Sequence, residues 1–245
     1  MHAYGESFME LAMQARYSAD VIARKLLLHL PIVSVLDLGS ARGTWLARWL
    51  SLGVEDFAGV DGPYVSFDTL EIPPEYFFVR DLSQPIELGR RFSLSQSLEV
   101  AEHLPAAAAA TFVKSLTRHA DIVLFSASPP GQGGENHLNE QPYEYWRELF
   151  AEQEYEMIDW IRPRIADDHH IKYWYRYNAF LFISKGILGN LAESFQEARV
   201  PDGKSAPDVS PSLYRMRRQV VRRLPRPVQS AISRTLARSR GIFGV

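Results

Sequence analysis

The sequence predicts an α/β protein built on a doubly wound, mostly parallel sheet. Short apolar runs rich in Val, Ile, Leu and Phe alternate with stretches whose apolar residues recur at helical spacing. Several of these runs stop at an acid or a glycine, as before Asp37-Leu38-Gly39, Asp61 and Asp81. With 46% hydrophobic and 12% aromatic residues, the 245-residue chain has enough apolar surface for strands buried on both faces.

The elements follow in order. Over residues 6–29, Phe8, Leu11, Ala12, Ala15, Val21, Ile22 and Leu26 have helical spacing, and Pro31 ends the helix. Residues 32–36 read as the first buried strand, and Thr44–Ser51 as the helix behind it. Residues 57–60, 76–79, 92–96 and 121–125 read as further strands. A helix over residues 106–118 has Pro105 at its first turn, and Tyr143–Ala151 is another, with Trp146 directed to the core. Residues 155–161 and 179–184 close the pattern as strands. The aromatic cluster Tyr173–Asn178 lies before the last of them, either covering the sheet edge or stacking on an acceptor. No repeat of 20 to 50 residues is present, which excludes a solenoid. The division expected is a helical extension over 1–30, a core domain over 31–186, and a linker with a basic amphipathic tail over 187–245.

Charge and composition exclude several functions. There is no cysteine, so disulfides and cysteine-bound metals are ruled out. No stretch reaches the ~20 apolar residues of a membrane span. The first residues also lack a basic then apolar leader, and the expected setting is the cytoplasm. The net charge of −2 conceals an asymmetry, because residues 212–245 hold nine arginines and no acid. The remainder keeps 18 basic residues against 29 acidic ones, a balance of −11 that makes a poor nucleic-acid surface. In the tail, Leu213, Met216, Val220, Val221 and Leu224 alternate with arginines until Pro225 and Pro227. Such a segment either rests peripherally on the inner face of an anionic membrane or packs on a protein surface.

The strongest local signal is Asp37-Leu38-Gly39-Ser40-Ala41-Arg42-Gly43, at the junction of the first strand and its helix. Glycines there let the backbone turn sharply and approach a ligand, and the helix start offers free N–H groups. The spacing is not that of a nucleotide-phosphate loop, and no lysine follows Gly43. Each residue also has a plain structural reading: turn glycines, a strand-end acid at Asp61, a helix cap at Asp81.

Taken together these residues resemble the class I S-adenosylmethionine-dependent methyltransferases, whose first motif is approximately Asp-x-Gly-x-Gly-x-Gly. Asp37, Gly39 and Gly43 match, and Ala41 replaces the middle glycine. The resemblance implies S-adenosyl-L-methionine as cofactor, with Asp61 accepting the ribose hydroxyls. It further implies Asp81 at the adenine amine, the Leu82 backbone against the ring, and Ser97 lining the site after the fourth strand. It also implies a Rossmann-like seven-stranded sheet in the order 3-2-1-4-5-7-6, with the last strand antiparallel.

After the fourth strand, Glu99-x-x-Glu102-His103 gathers two carboxylates and an imidazole, which a helical turn would direct to one side. The cluster resembles the metal-binding segment of small-RNA 2′-O-methyltransferases and of ubiquinone-pathway O-methyltransferases. By that resemblance His137, in the glycine-rich stretch over residues 126–145, supplies a second imidazole. Glu99, Glu102, His103 and His137 would suit Mg²⁺, Mn²⁺ or Zn²⁺. Without a metal, His103 serves as a general base, with Glu102 and His137 beside it. The expected activity is methylation of a hydroxyl on a glycan or small metabolite. The competing readings are RNA 2′-O-methylation and a non-catalytic cofactor-binding scaffold. His169 and His170 read as solvated loop residues.

Overall fold

The computed structural model describes residues 6–224 and Val228, with side chains from Ala15 onward. Helix α1 (Glu6–Leu27) lays Ala19, Ile22, Ala23 and Leu26 against Trp45, Leu46 and Trp49 of α2 (Thr44–Ser51). Phe8, Leu11 and Ala12, expected on the same face, lie outside the described side chains. Between the helices runs β1 (Ser34–Leu38), buried along its whole length. The remaining strands are β2 (Asp56–Asp61), β3 (Phe77–Val79), β4 (Leu94–Leu98), β5 (Ile122–Ser126), β6 (Tyr155–Ile158) and β7 (Phe180–Ser184). They form one sheet in the order β3-β2-β1-β4-β5-β7-β6. Strands β1 to β5 are parallel, and β7 runs antiparallel to both β5 and β6. This is the order and the direction of the last strand expected from the sequence.

The two faces alternate along each strand, as a pleated sheet requires. Val35 and Leu124 join α1 and α2 in one core. Leu36, Leu38, Val123 and Phe125 point the other way, toward Phe112 and Leu116 of α3 (Ala109–His119) and Trp146 and Phe150 of α4 (Tyr143–Ala151). Burial on both faces explains why these strands read as continuous apolar runs. Because β1, β2, β4 and β5 share a direction, their carboxyl ends open on one edge, where sheets of this kind bind ligands.

Several expected boundaries shift. The first strand begins at Ser34 because Val33 is 72% exposed and its N–H, with that of Ser34, donates to Ser93 Oγ. The sixth strand stops at Ile158, although Trp160 and Ile161 beyond it are fully buried. There the chain turns into α5 (Arg162–Ile165), with Pro163 in its first turn. The aromatic cluster forms α6 (Tyr173–Asn178). After β7 come α7 (Lys185–Leu188), α8 (Glu193–Glu197) and α9 (Ser212–Val221).

The segment after β7 is bound to the body, as Phe195, Val200 and Ala206 are buried in its cores, and Val221 is buried as well. Arg162 pins it: the buried guanidinium pairs with Asp159 at 2.6 Å and donates to the carbonyls of Tyr177 and Pro207. Helix α9 turns arginines inward. Arg218 pairs with Asp208 at 3.1 Å, Arg215 donates to the Ser210 carbonyl, and Arg217 donates to the Gln132 carbonyl. The arginines at 226, 234, 238 and 240, with Pro225 and Pro227, lie outside the described residues.

Candidate active site

The glycine turn after β1 holds three residues in the left-handed region, Gly39 (φ 91°), Ala41 (φ 47°) and Gly43 (φ 80°). That backbone requirement explains the glycines at 39 and 43, and Ala41 between them accepts a conformation that ordinarily favours glycine. A Cβ on Gly39 would meet the Val100 side chain at 2.3 Å, so the turn lies directly against the loop that follows β4. Gly43 caps α2, whose start carries no side-chain cap, leaving its first N–H groups for a ligand.

Asp61, at the end of β2, is almost wholly buried. Its Oδ2 accepts from the Ala41 N–H at 2.7 Å, joining the second strand to the glycine turn. Its Oδ1 accepts from the Gly62 N–H at 2.7 Å and from the Tyr64 hydroxyl. Asp37 is buried beneath the turn and accepts from Gln96 at 2.9 Å; burial, with Asp61 nearby, pushes its carboxyl up to about 7. Ser97, on β4, is fully buried and its Oγ has no partner within the protein. Leu82 is buried, whereas Asp81 is exposed and accepts from the Ser83 N–H and hydroxyl, closing its own turn. These features fit the cofactor inferred from the sequence: a glycine cradle, an uncapped helix start, a buried acid and an unpartnered hydroxyl at one sheet edge.

Beyond Val100, a single 3-10 turn (Ala101–His103) carries the second group of residues. Ligand atoms of Glu102, His103 and His137 lie within 4.8 Å of one another. The two imidazoles meet edge to face with centroids 4.8 Å apart. The loop returns His137 here because the Leu138 and Asn139 N–H groups both donate to the Glu102 carbonyl. Glu140 then accepts from His137 Nδ1 at 2.8 Å and from the N–H groups of Gly131 and Gly133, fixing the ring and the glycine loop together. Gly134 has no Cβ, and its place is filled by the His137 ring.

Glu99 lies outside this group. Its left-handed backbone (φ 58°) places it ahead of the 3-10 turn, so the shared face expected of one helical turn does not form. Its carboxylate instead accepts from Ser128, Gln132 and Asn178. Burial, with Glu102 next in importance, pushes Glu99 up to about 8, and burial pushes Glu102 up to about 7. Glu102 Oε2 is buried without a partner. His103 Nδ1 lies 3.3 Å from the Asn136 carbonyl, so a proton on Nδ1 leaves Nε2 as an acceptor. Burial and the facing His137 hold its pKa below the ordinary histidine value.

Ser128, Gln132 and Asn178 enter the sequence pattern only as members of the glycine-rich stretch and the aromatic cluster, and nothing in it marks Tyr64 or the orienting role of Glu140. Gln132 and Asn178 are buried and joined at 2.9 Å, although 46 positions separate them. Above them α9 closes on the glycine loop: Gly131 leaves room for the Arg218 carbonyl, and Tyr214 packs on Tyr173 and Tyr177.

The fold is that of the class I S-adenosylmethionine-dependent methyltransferases. Among solved structures it is similar to magnesium protoporphyrin IX methyltransferase from Synechocystis PCC 6803 with bound S-adenosylmethionine, at TM-score 0.55 and 15% identity over 76% of this chain and 86% of that one. It is also similar to the sugar N-methyltransferase KedS8 from Streptoalloteichus, at TM-score 0.53 and 16% identity over 68% and 86%. A third similar structure is an O-methyltransferase family protein from Burkholderia thailandensis, at TM-score 0.53 and 12% identity over 71% and 57%. No protein-family model and no curated protein matches the sequence.

Proposed function

We propose that this protein is an S-adenosylmethionine-dependent O-methyltransferase acting on a hydroxyl of a glycan or small metabolite. One observation carries the reading. Val100 touches Gly39, so the loop bearing Glu102, His103 and His137 abuts the glycine turn that Asp61 braces. A cofactor cradle and a base-bearing cluster therefore adjoin at one sheet edge. The O- and N-methyltransferases of similar fold support a small-molecule acceptor. The acidic body weighs against RNA, and the assembled histidine cluster weighs against a non-catalytic scaffold.

S-adenosylmethionine, when bound, supplies an activated methyl group on a sulfonium. The protein's work is to orient donor and acceptor and to take the hydroxyl proton. Asp61 would hold the ribose hydroxyls and the uncapped start of α2 the donor's carboxylate. His103 Nε2 would take the proton, because the Asn136 carbonyl holds Nδ1 and burial keeps the ring neutral. Titration with S-adenosylhomocysteine, followed by an acceptor screen reading donor consumption, tests this. A folded protein that binds no S-adenosylhomocysteine would refute it.

A metal-assisted form of the same reaction is favoured by the unpartnered Glu102 Oε2 beside two imidazoles. Glu102, His103 and His137 would then hold a divalent ion, with Glu140 orienting His137, and the ion would lower the pKa of a bound hydroxyl. The test is activity in EDTA together with metal analysis. Chelator-resistant activity without metal leaves His103 as a metal-free base. We further propose that the enzyme works in the cytoplasm and touches anionic membrane through its arginine-rich end.

A further inference from the structure

We propose that Tyr64 gates the seat that Asp61 offers to a nucleoside: its hydroxyl holds the Asp61 carboxylate in the free protein and gives way when a ribose diol takes that place. This rests on the donor-binding role proposed for Asp61.

Tyr64 is 78% exposed, although its hydroxyl donates to a carboxylate that is only 3% exposed. A tyrosine that leaves most of its surface in water has little packing to lose by swinging away. The turn Gly62-Pro63-Tyr64-Val65, closed by the Val65 N–H on the Gly62 carbonyl at 3.3 Å, folds the ring back over Asp61. Gly62 makes this possible. A Cβ there would meet Tyr64 Cε1 at 2.2 Å, and Gly62 does not have the positive φ that would otherwise call for glycine. The residue is thus explained by the ring lying across it.

Acceptor counting supplies the competition. A carboxylate has about four acceptor positions. Two serve the Ala41 and Gly62 N–H groups, which belong to the backbone and stay, and a third serves Tyr64. A vicinal diol needs two, so bidentate capture requires the Tyr64 hydroxyl to leave. The gate therefore costs affinity for any nucleoside bearing both hydroxyls. It costs nothing for one that lacks the 2′-hydroxyl.

Calorimetric titration of the full chain with S-adenosylhomocysteine and its 2′-deoxy analogue tests this on the parent, Tyr64→Phe and Gly62→Ala. Tyr64→Phe keeps the ring and removes the competitor, and we expect it to bind S-adenosylhomocysteine about tenfold tighter, as for one hydrogen bond to a charged group. Gly62→Ala, which lifts the ring from Asp61, should move in the same direction. Neither should gain for the 2′-deoxy analogue. If the parent binds while Tyr64→Phe binds equally or more weakly, or gains equally for both ligands, the gate is overturned and the donor reading stands. A folded parent that binds neither ligand overturns the donor reading, and the gate with it.

Discussion

A histidine can act as a base only while neutral, and two neighbours keep His103 so: the buried setting and the imidazole of His137, which faces it edge to face. Activity should therefore rise with pH through a value below the ordinary 6.5 and stay level above it. His103→Ala should lose about 10²–10⁴-fold in turnover while binding S-adenosylhomocysteine as the parent does. Near-parent turnover would remove the role. Asp61→Ala should show the converse, with binding weakened by about 1–3 kcal/mol in calorimetry. Glu99 bears instead on stability. Its carboxyl is raised from an ordinary 4.5 to about 8 in the fold, so folding favours the protonated form. The stability it contributes is full below about pH 4.5 and is lost as pH rises toward 8. Glu99→Gln should accordingly gain in Tm relative to the parent between pH 5 and 8.5, and a constant difference across that range would show Glu99 ionised throughout. Asp61 was legible in the sequence because it closes an apolar run at a strand end. Gln132 and Asn178 were not, because they reach Glu99 from 33 and 79 positions away through tertiary folding alone.

Among the elements, those that repeat a pattern over enough residues were legible. Helices α2 and α4 match the expected Thr44–Ser51 and Tyr143–Ala151, each with an apolar face on a core. Helices α5, α7 and α8 have four or five residues, too few for a 3.6-residue period to register. Strand β6 was overextended because Trp160 and Ile161 are core residues that leave the ladder, and hydrophobicity reports burial there without pairing. Burial by irregular chain needs polar anchors, and Arg162 is one. It stacks on Phe180, pairs with Asp159 and satisfies carbonyls at Tyr177 and Pro207, tying α6 and the later linker to β7. Arg162→Met preserves much of the side-chain bulk but leaves a carboxylate and two carbonyls unpaired. We expect a loss of about 3 kcal/mol in denaturant unfolding, which at this size lowers Tm by roughly 6–12 °C. A change under about 1 kcal/mol would mean that water replaces the guanidinium without cost.

Across the whole molecule, the parallel strands bring the site to one edge, and α9 connects that edge to the basic end of the chain. Tail composition was legible as amphipathic, but the division of its two faces was not. Inward, Arg217 and Arg218 reach the Gln132 carbonyl and Asp208, while Tyr214 joins the tyrosines of α6. Outward, Leu213, Met216 and Val220 are 77%, 53% and 62% exposed, with Arg222 and Arg223 exposed just beyond them. Inverting the usual pattern in this way leaves an apolar stripe in solvent next to the loop that carries His137. Arg222 and Arg223, exposed beside this stripe, add positive charge to the same face. In the membrane contact proposed above, each basic residue near an anionic lipid surface would add at most about 1 kcal/mol and the apolar stripe would add more. The full chain should therefore sediment with anionic vesicles and not with neutral ones, and salt should weaken the partition. Met216→Glu with Val220→Glu alters only the outward face, so it should release the protein from vesicles while S-adenosylhomocysteine binding and Tm remain near the parent values. Parent-like sedimentation of this double variant would show that α9 does not meet the lipid, and a concentration-dependent mass change in light scattering that it abolishes would assign the stripe to a second copy of the chain.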